Sequence, residues 1–371
     1  MKTGNQPTLR RRIAWLHRLA ALCLAFSPIT ACAAEDAAPA IESDQKAQRI
    51  EAAKARLEEM GFKGVIAIAY EGEPPVYAGF GEGAASGAPD ETTQLDSGSI
   101  TKTFTAAAAL KLIDEGKLQT SDRLRDFFPD APADKAGITV HQMLTHSAGL
   151  PPAVGEDLDY LAKDEFLKRA FAAPLLFEPG TAYEYSNVGY SLIAAIIEQL
   201  SGKTYESYIR EDLLGDIETP DIGYEAVFDP ARSMVTADGE TIDKASWGGR
   251  SHWALIGNGG IIITAKDMIA FRRAFTARRL HSNAAVNLAQ TPMVREGEGA
   301  PTFTGYGMVV DDHPQFGRVY WHNGGNPHFI SNWSDFADHG VIIFASSDGV
   351  EMNGDMAVEA IAVELLLTDQ E

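Results

Sequence analysis

The sequence predicts an α+β fold: an antiparallel sheet with the first and last helices on its faces, plus a mostly helical lobe. Three observations carry this. Gly64–Tyr70 and Pro75–Phe80 are β-type runs separated by Glu71-Gly72-Glu73-Pro74, which reads as a hairpin. Four further β-type runs crowd the C-terminal part: Gly305–Val310, Gly317–Trp321, Phe329–Phe336 and Gly340–Ala345. Their short connections imply antiparallel pairing. The long middle is dominated by helical patterns.

Taken in order, Asp44–Met60 is helix-like, with Ile50, Leu57 and Met60 among charges, and Gly61 and Gly64 mark its stop. Asp90–Leu95 leads to a serine-rich turn and an Ala-rich helix ended by Gly116. Ile138–Thr145 is a short helix entered at Thr139 and closed by His146–Pro151. Asp164–Ala172, Val188–Leu200 and Tyr205–Leu214 are helices, with a turn-rich loop at Glu178–Asn187. Ile217–Asp243 is irregular or β-like, and Gly259–Ile263 is a buried-strand candidate. Thr264-Ala265-Lys266-Asp267 resembles a capping box and opens a helix running to about Arg279. Asp355–Leu367 is the last helix.

The N-terminus has the layout of a secretory signal: Lys2, Arg10, Arg11, Arg12 and Arg18, an apolar run Leu19–Phe26, then small residues. The run is too short to span a membrane, which takes about 20 residues. Ile29-Thr30-Ala31-Cys32 reads as a lipobox that makes Cys32 the lipidated first residue. Ala31-Cys32-Ala33 also fits an ordinary A-x-A cleavage site, and the lipoprotein reading is favoured. Residues 1–31 are then the signal, 32–44 a tether and 45–371 the folded domain. Removing the signal leaves 26 Lys and Arg against 52 Asp and Glu, a formal charge of −26. That surface argues against nucleic acid and anionic membrane surfaces as partners. The other cysteine, Cys23, lies in the apolar run, so the mature chain holds no disulfide.

Ser99 and Lys102 form Ser-x-x-Lys at the start of the Ala-rich helix. Residues three apart share a helix face, so a nucleophile and an amine meet near a positive helix end. The amine serves as a base only if burial lowers its pKa. Alone, such a pair is usually an N-cap serine on a solvated helix. Tyr185 and Asn187 flank Ser186 just before the next helix, and two residues apart on extended backbone can face one cavity. His322-Asn323-Gly324-Gly325 follows the run Gly317–Trp321, placing a ring and bare backbone N–H groups at a strand end.

With these three motifs in this order, the chain resembles the serine β-lactamase-like family: class C β-lactamases, D-alanyl-D-alanine carboxypeptidases and related esterases. Leu144–Pro151, Tyr185–Tyr190, Gly259-Gly260 and Gly305-Tyr306-Gly307 extend the resemblance, which covers about residues 45–367. It implies the β-lactamase/transpeptidase-like fold and an acyl-enzyme on Ser99. Lys102 and Tyr185 would share the proton traffic, Tyr185 being the favoured base for acylation and water activation and Lys102 the alternative. Asn187 would hydrogen-bond Lys102 and the substrate. The N–H groups of Ser99 and Gly325 would form the oxyanion hole, with Gly324 a substrate-binding position beside it. His322 stands where true β-lactamases have Lys. An imidazole is mostly neutral at pH 7 and grips a carboxylate less well. His328 stands where relatives often have Gly.

The expected substrate is therefore a small ester or amide first, then a D-amino-acid amide or D,D-peptide, then a β-lactam. A non-turnover peptidoglycan or β-lactam sensor is the rival reading. His146 reads as a structural loop histidine, and a strand-end histidine without a direct role is the alternative for His322. No metal-ligand spacing and no phosphate loop occurs, so no metal and no cofactor is expected. The sequence carries no signal for an oligomeric state.

Overall fold

The computed structural model describes residues 43–82, 84, 87–157, 160–234, 252–325, 329–347, 349 and 352–367. The signal-like segment, Cys32 and His328 lie outside the described residues, as does the tether up to residue 42. The first helix, α1 (Ser43–Glu59), starts inside the stretch read as tether. Its buried stripe of Ile50, Ala53 and Leu57 has the helical spacing. Strand β1 (Gly64–Tyr70) is buried throughout, which explains its unbroken apolar run. It pairs with β2 (Val76–Phe80) as the expected hairpin.

After β3 (Leu95–Asp96) the chain enters the helical lobe. The lobe holds α2 (Thr101–Asp114), α3 (Leu124–Phe127), α4 (Val140–Leu144), α5 (Lys163–Ala172), α6 (Asn187–Ser201) and α7 (Tyr205–Ser207). The expected helix Tyr205–Leu214 is only one α-turn. It then widens into a π-helical turn, Tyr208–Leu213. The buried run Gly259–Ile263 keeps just β4 (Ile262–Ile263), which pairs with β3 in a separate two-stranded ribbon. Next come α8 (Ala265–Thr276) and α9 (Asn283–Ala289), the latter not anticipated.

Strands β5 (Val294–Arg295), β6 (Phe303–Thr304), β7 (Val309–His313), β8 (Gly317–Gly325), β9 (Ile330–Phe336) and β10 (Val341–Ser347) complete the sheet. Its order is β2-β1-β10-β9-β8-β7-β6-β5, with every pairing antiparallel. Helix α10 (Gly354–Leu366) returns to pack beside α1, where Ile361 and Leu365 join Ile50, Leu57, Ile66, Ile68 and Ile343 in one core. The other side chains of the same strands, Val65, Ala67, Ala69, Ile342 and Phe344, meet α8 and the lobe. The run Gly305–Val310 is not one strand. The chain turns at Gly307, whose φ is +70°, between β6 and β7. Among the described residues, no helix is long and apolar enough to cross a membrane.

Candidate active site

Asp96, at the end of β3, accepts the Gly98 N–H at 2.8 Å and starts a tight turn. Gly98 has φ +49°, and a 3₁₀ turn, Gly98–Ile100, carries half-buried Ser99 into α2. Every residue of α2 from Thr101 to Leu110 is buried, so small alanines let neighbouring backbone come close. Lys102 is wholly buried. Its Nζ lies 3.2 Å from Ser99 Oγ and donates to the Asn258 carbonyl at 2.7 Å. The Asn258 side chain is itself held, donating to Ser191 Oγ and the Ala254 carbonyl.

Ser186 caps α6. Its Oγ accepts the Gly189 N–H and donates to the Pro151 carbonyl at 2.7 Å. This sets Tyr185 and Asn187 on either side of the cap. Lys102 Nζ lies 4.6 Å from the Tyr185 ring centre. Asn187 does not bond Lys102 as expected: its Oδ1 is buried without a hydrogen-bond partner, because the lysine reaches the Asn258 carbonyl instead.

The third motif lies within β8, which runs past Trp321 to Gly325 because its pairing with β9 continues to Gly325↔Ile330. A Cβ on Gly324 would meet Ser97 O at 2.0 Å and Ser99 N at 2.6 Å. A Cβ on Gly98 would meet Gly325 N at 2.4 Å. Backbone therefore lies directly on backbone here, bringing the amides of Ser99 and Gly325 into adjoining segments. His322 Nδ1 donates to the Asn323 carbonyl at 2.6 Å, leaving Nε2 as the acceptor of the neutral ring.

Burial lowers the Lys102 pKa well below its ordinary value, and the Asp157 carboxylate pulls weakly the other way. Burial raises the Tyr185 phenol, with a hydrogen bond from Ser99 opposing. Burial and then the Lys102 charge lower His322 to about 3, so this ring is neutral near pH 7. Both shifts oppose charge: burial disfavours the ammonium of Lys102 and the phenolate of Tyr185 alike.

The sequence reading missed Asn258, Asp157 and His252. A backbone carbonyl has no residue-type signature. Asp157 lies in a loop pinned from afar: His252 Nε2 donates to the Asp157 carbonyl at 2.8 Å, and Nδ1 accepts the Leu161 N–H at 3.0 Å. Two surface clefts of about 400 Å³ are present. One is lined by Thr181, Tyr183, Arg295 and Glu298, the other by Val154, Glu156, Tyr160 and Arg169; neither includes Ser99. Among the described residues, no group of three or more His, Cys, Asp or Glu side chains is placed to hold a metal ion.

This fold and this site define a serine hydrolase of the β-lactamase/transpeptidase type. The family model described as Beta-lactamase matches residues 49–368, and the chain belongs to that family. It is 26% identical over 337 residues to a penicillin-binding protein of Bacillus subtilis, covering 82% of this chain and 72% of that one. It is 24% identical over 229 residues to the D-alanyl-D-alanine-carboxypeptidase/endopeptidase AmpH of Escherichia coli, covering 58% of each. The structure of a D-amino acid amidase from Ochrobactrum anthropi superposes with a TM-score of 0.73 at 20% identity, over 87% of this chain and 99% of that one.

Proposed function

We propose that this chain is an exported hydrolase that cleaves small esters or amides through an acyl-enzyme on Ser99. One observation carries the reading: a buried amine sits 3.2 Å from Ser99 Oγ, with one N–H already given to the Asn258 carbonyl. Burial lowers that amine's pKa well below its ordinary value, which favours a free lone pair for the Ser99 hydroxyl. The Ser99 proton passes to Lys102 Nζ as Oγ bonds to the acyl carbon. The C–O or C–N bond to the leaving group then breaks, Tyr185 gives its phenol proton to that group, and the proton on Lys102 restores the phenol. Water attacks the acyl carbon, losing a proton to the same pair; the acyl C–Oγ bond breaks and that proton returns to Oγ, which restores Ser99. The Ser99 and Gly325 amides hold the developing oxyanion, where one donor is typically worth about 10²–10³ in rate. Asn187 Oδ1 accepts a substrate N–H.

The neutral His322 gives the third motif no fixed cation for a substrate carboxylate. This ranks neutral esters and amides first, D-amino-acid amides and D,D-peptides second, and β-lactams third. The test assays the full chain and Ser99→Ala on a p-nitrophenyl acyl ester, a D-amino-acid amide, a D-Ala-D-Ala peptide and a chromogenic cephalosporin. The ester should turn over fastest, and Ser99→Ala should lose at least about 10³-fold. Equal rates in the two proteins would sink the mechanism. A single acylation without turnover would favour a sensor.

A further inference from the structure

Helix α4 ends in a motif that usually calls for glycine. The His146 N–H donates to the Met143 carbonyl and the Ser147 N–H to the Gln142 carbonyl, the paired bonds of a Schellman cap. His146 occupies the left-handed position with φ +57°. Only one other non-glycine among the described residues, Arg278, has a positive φ. A Cβ makes this conformation costly, and glycine would terminate the helix without strain. Strain held at such a position points to what the side chain does.

The ring is buried and meets the second motif at several points. Nδ1 accepts the N–H of Ser186, the residue between Tyr185 and Asn187, at 3.0 Å. The ring stacks on Tyr185 with centres 4.4 Å apart at 29°, and leans on Tyr190 at 5.1 Å. Tyr183 meets it edge-on at 5.9 Å, and the His146 carbonyl accepts the Glu184 N–H. An accepting Nδ1 requires that nitrogen to be unprotonated. Burial lowers the ring's pKa well below its ordinary value, and any positive charge on Lys102 or His322 lowers it further.

We propose that His146 is a positioning residue: its neutral ring fixes the aim of Tyr185 at Ser99 and the setting of Asn187. This rests on the serine-hydrolase reading above. The ring makes no part of the reaction itself. It sets where the phenol and the Ser186 cap stand, and misplacing a reacting group by about 1 Å can cost about 10²-fold in rate.

The test compares the full-length wild type, His146→Gly and His146→Asn on the p-nitrophenyl ester, with thermal unfolding of each. Glycine suits the backbone and removes the ring. Asparagine tolerates the left-handed position and keeps a side-chain oxygen to accept the Ser186 N–H. We expect His146→Gly to unfold cooperatively near the wild-type midpoint, with kcat down about 10–100-fold and KM within about threefold. His146→Asn should recover at least about threefold of that kcat. A folded glycine variant with wild-type kcat overturns the proposal. So does loss of cooperative unfolding in both variants, which would make His146 a folding residue. Ser99→Ala in the same assay separates the two readings: if it alone is inactive, the hydrolase stands and only the role of His146 falls.

Discussion

Lys102 sits where an amine holds a proton poorly, and the group that counters this is Asp157, on a loop far away in sequence. Removing that carboxylate should lower the lysine pKa further. The amine then stays neutral to lower pH, so Asp157→Asn is expected to move the acidic limb of the kcat/KM profile downward on a neutral ester. An unmoved limb would mean that Asp157 does not act on Lys102. At this scale the motif residues were legible because their identities carry the chemistry: Lys102 Nζ lies 3.2 Å from Ser99 Oγ and 4.6 Å from the Tyr185 ring centre. Asn187 was found, but its partner was not. Its expected bond was lost to a carbonyl that any residue at position 258 would supply.

Among elements, the helices were read most closely and the strand ends least. The Thr139 cap is a full capping box with Gln142, as the short helix there suggested. The Thr264 box is only half made. Thr264 Oγ1 accepts the Asp267 N–H, but the Asp267 carboxylate turns away to accept the Asp221 N–H at 2.8 Å. Burial raises Asp267 from 3.8 to about 6, with the nearby Asp221 charge also pushing up. The folded chain therefore binds this proton more tightly than the unfolded chain. Its contribution to stability is complete below about pH 4 and is lost as pH rises through 6. Asp267→Asn keeps the acceptor without the charge. It should match the wild type in urea at pH 4 and exceed it at pH 8 by on the order of 2–3 kcal/mol. The same difference at both pH values would count against a raised Asp267. The end of β8 was misread for another reason. The strand carries on through Asn323-Gly324-Gly325 because its pairing with β9 does, and a Cβ on Gly324 would collide with Ser97 O and Ser99 N of the serine turn.

For the whole molecule, the hairpin, the late antiparallel strands and the flanking helices were all readable from period and order. Which strands neighbour one another was not, since nothing local in β1 names β10 as its partner. Export rests on the N-terminal sequence. If Cys32 carries lipid, Cys32→Ala should shift the chain from the membrane fraction to the soluble fraction, and an unchanged membrane fraction would remove the lipobox reading. The pairing of β1 with β10, from Gly64↔Ser347 to Tyr70↔Val341, bears on timing. Strand β1 leaves the ribosome long before its central neighbour exists. Contacts this distant in sequence form slowly. Until β10 arrives, nothing joins the β2-β1 hairpin to β9 and the rest of the sheet, so the sheet can set only once the last strand has been made.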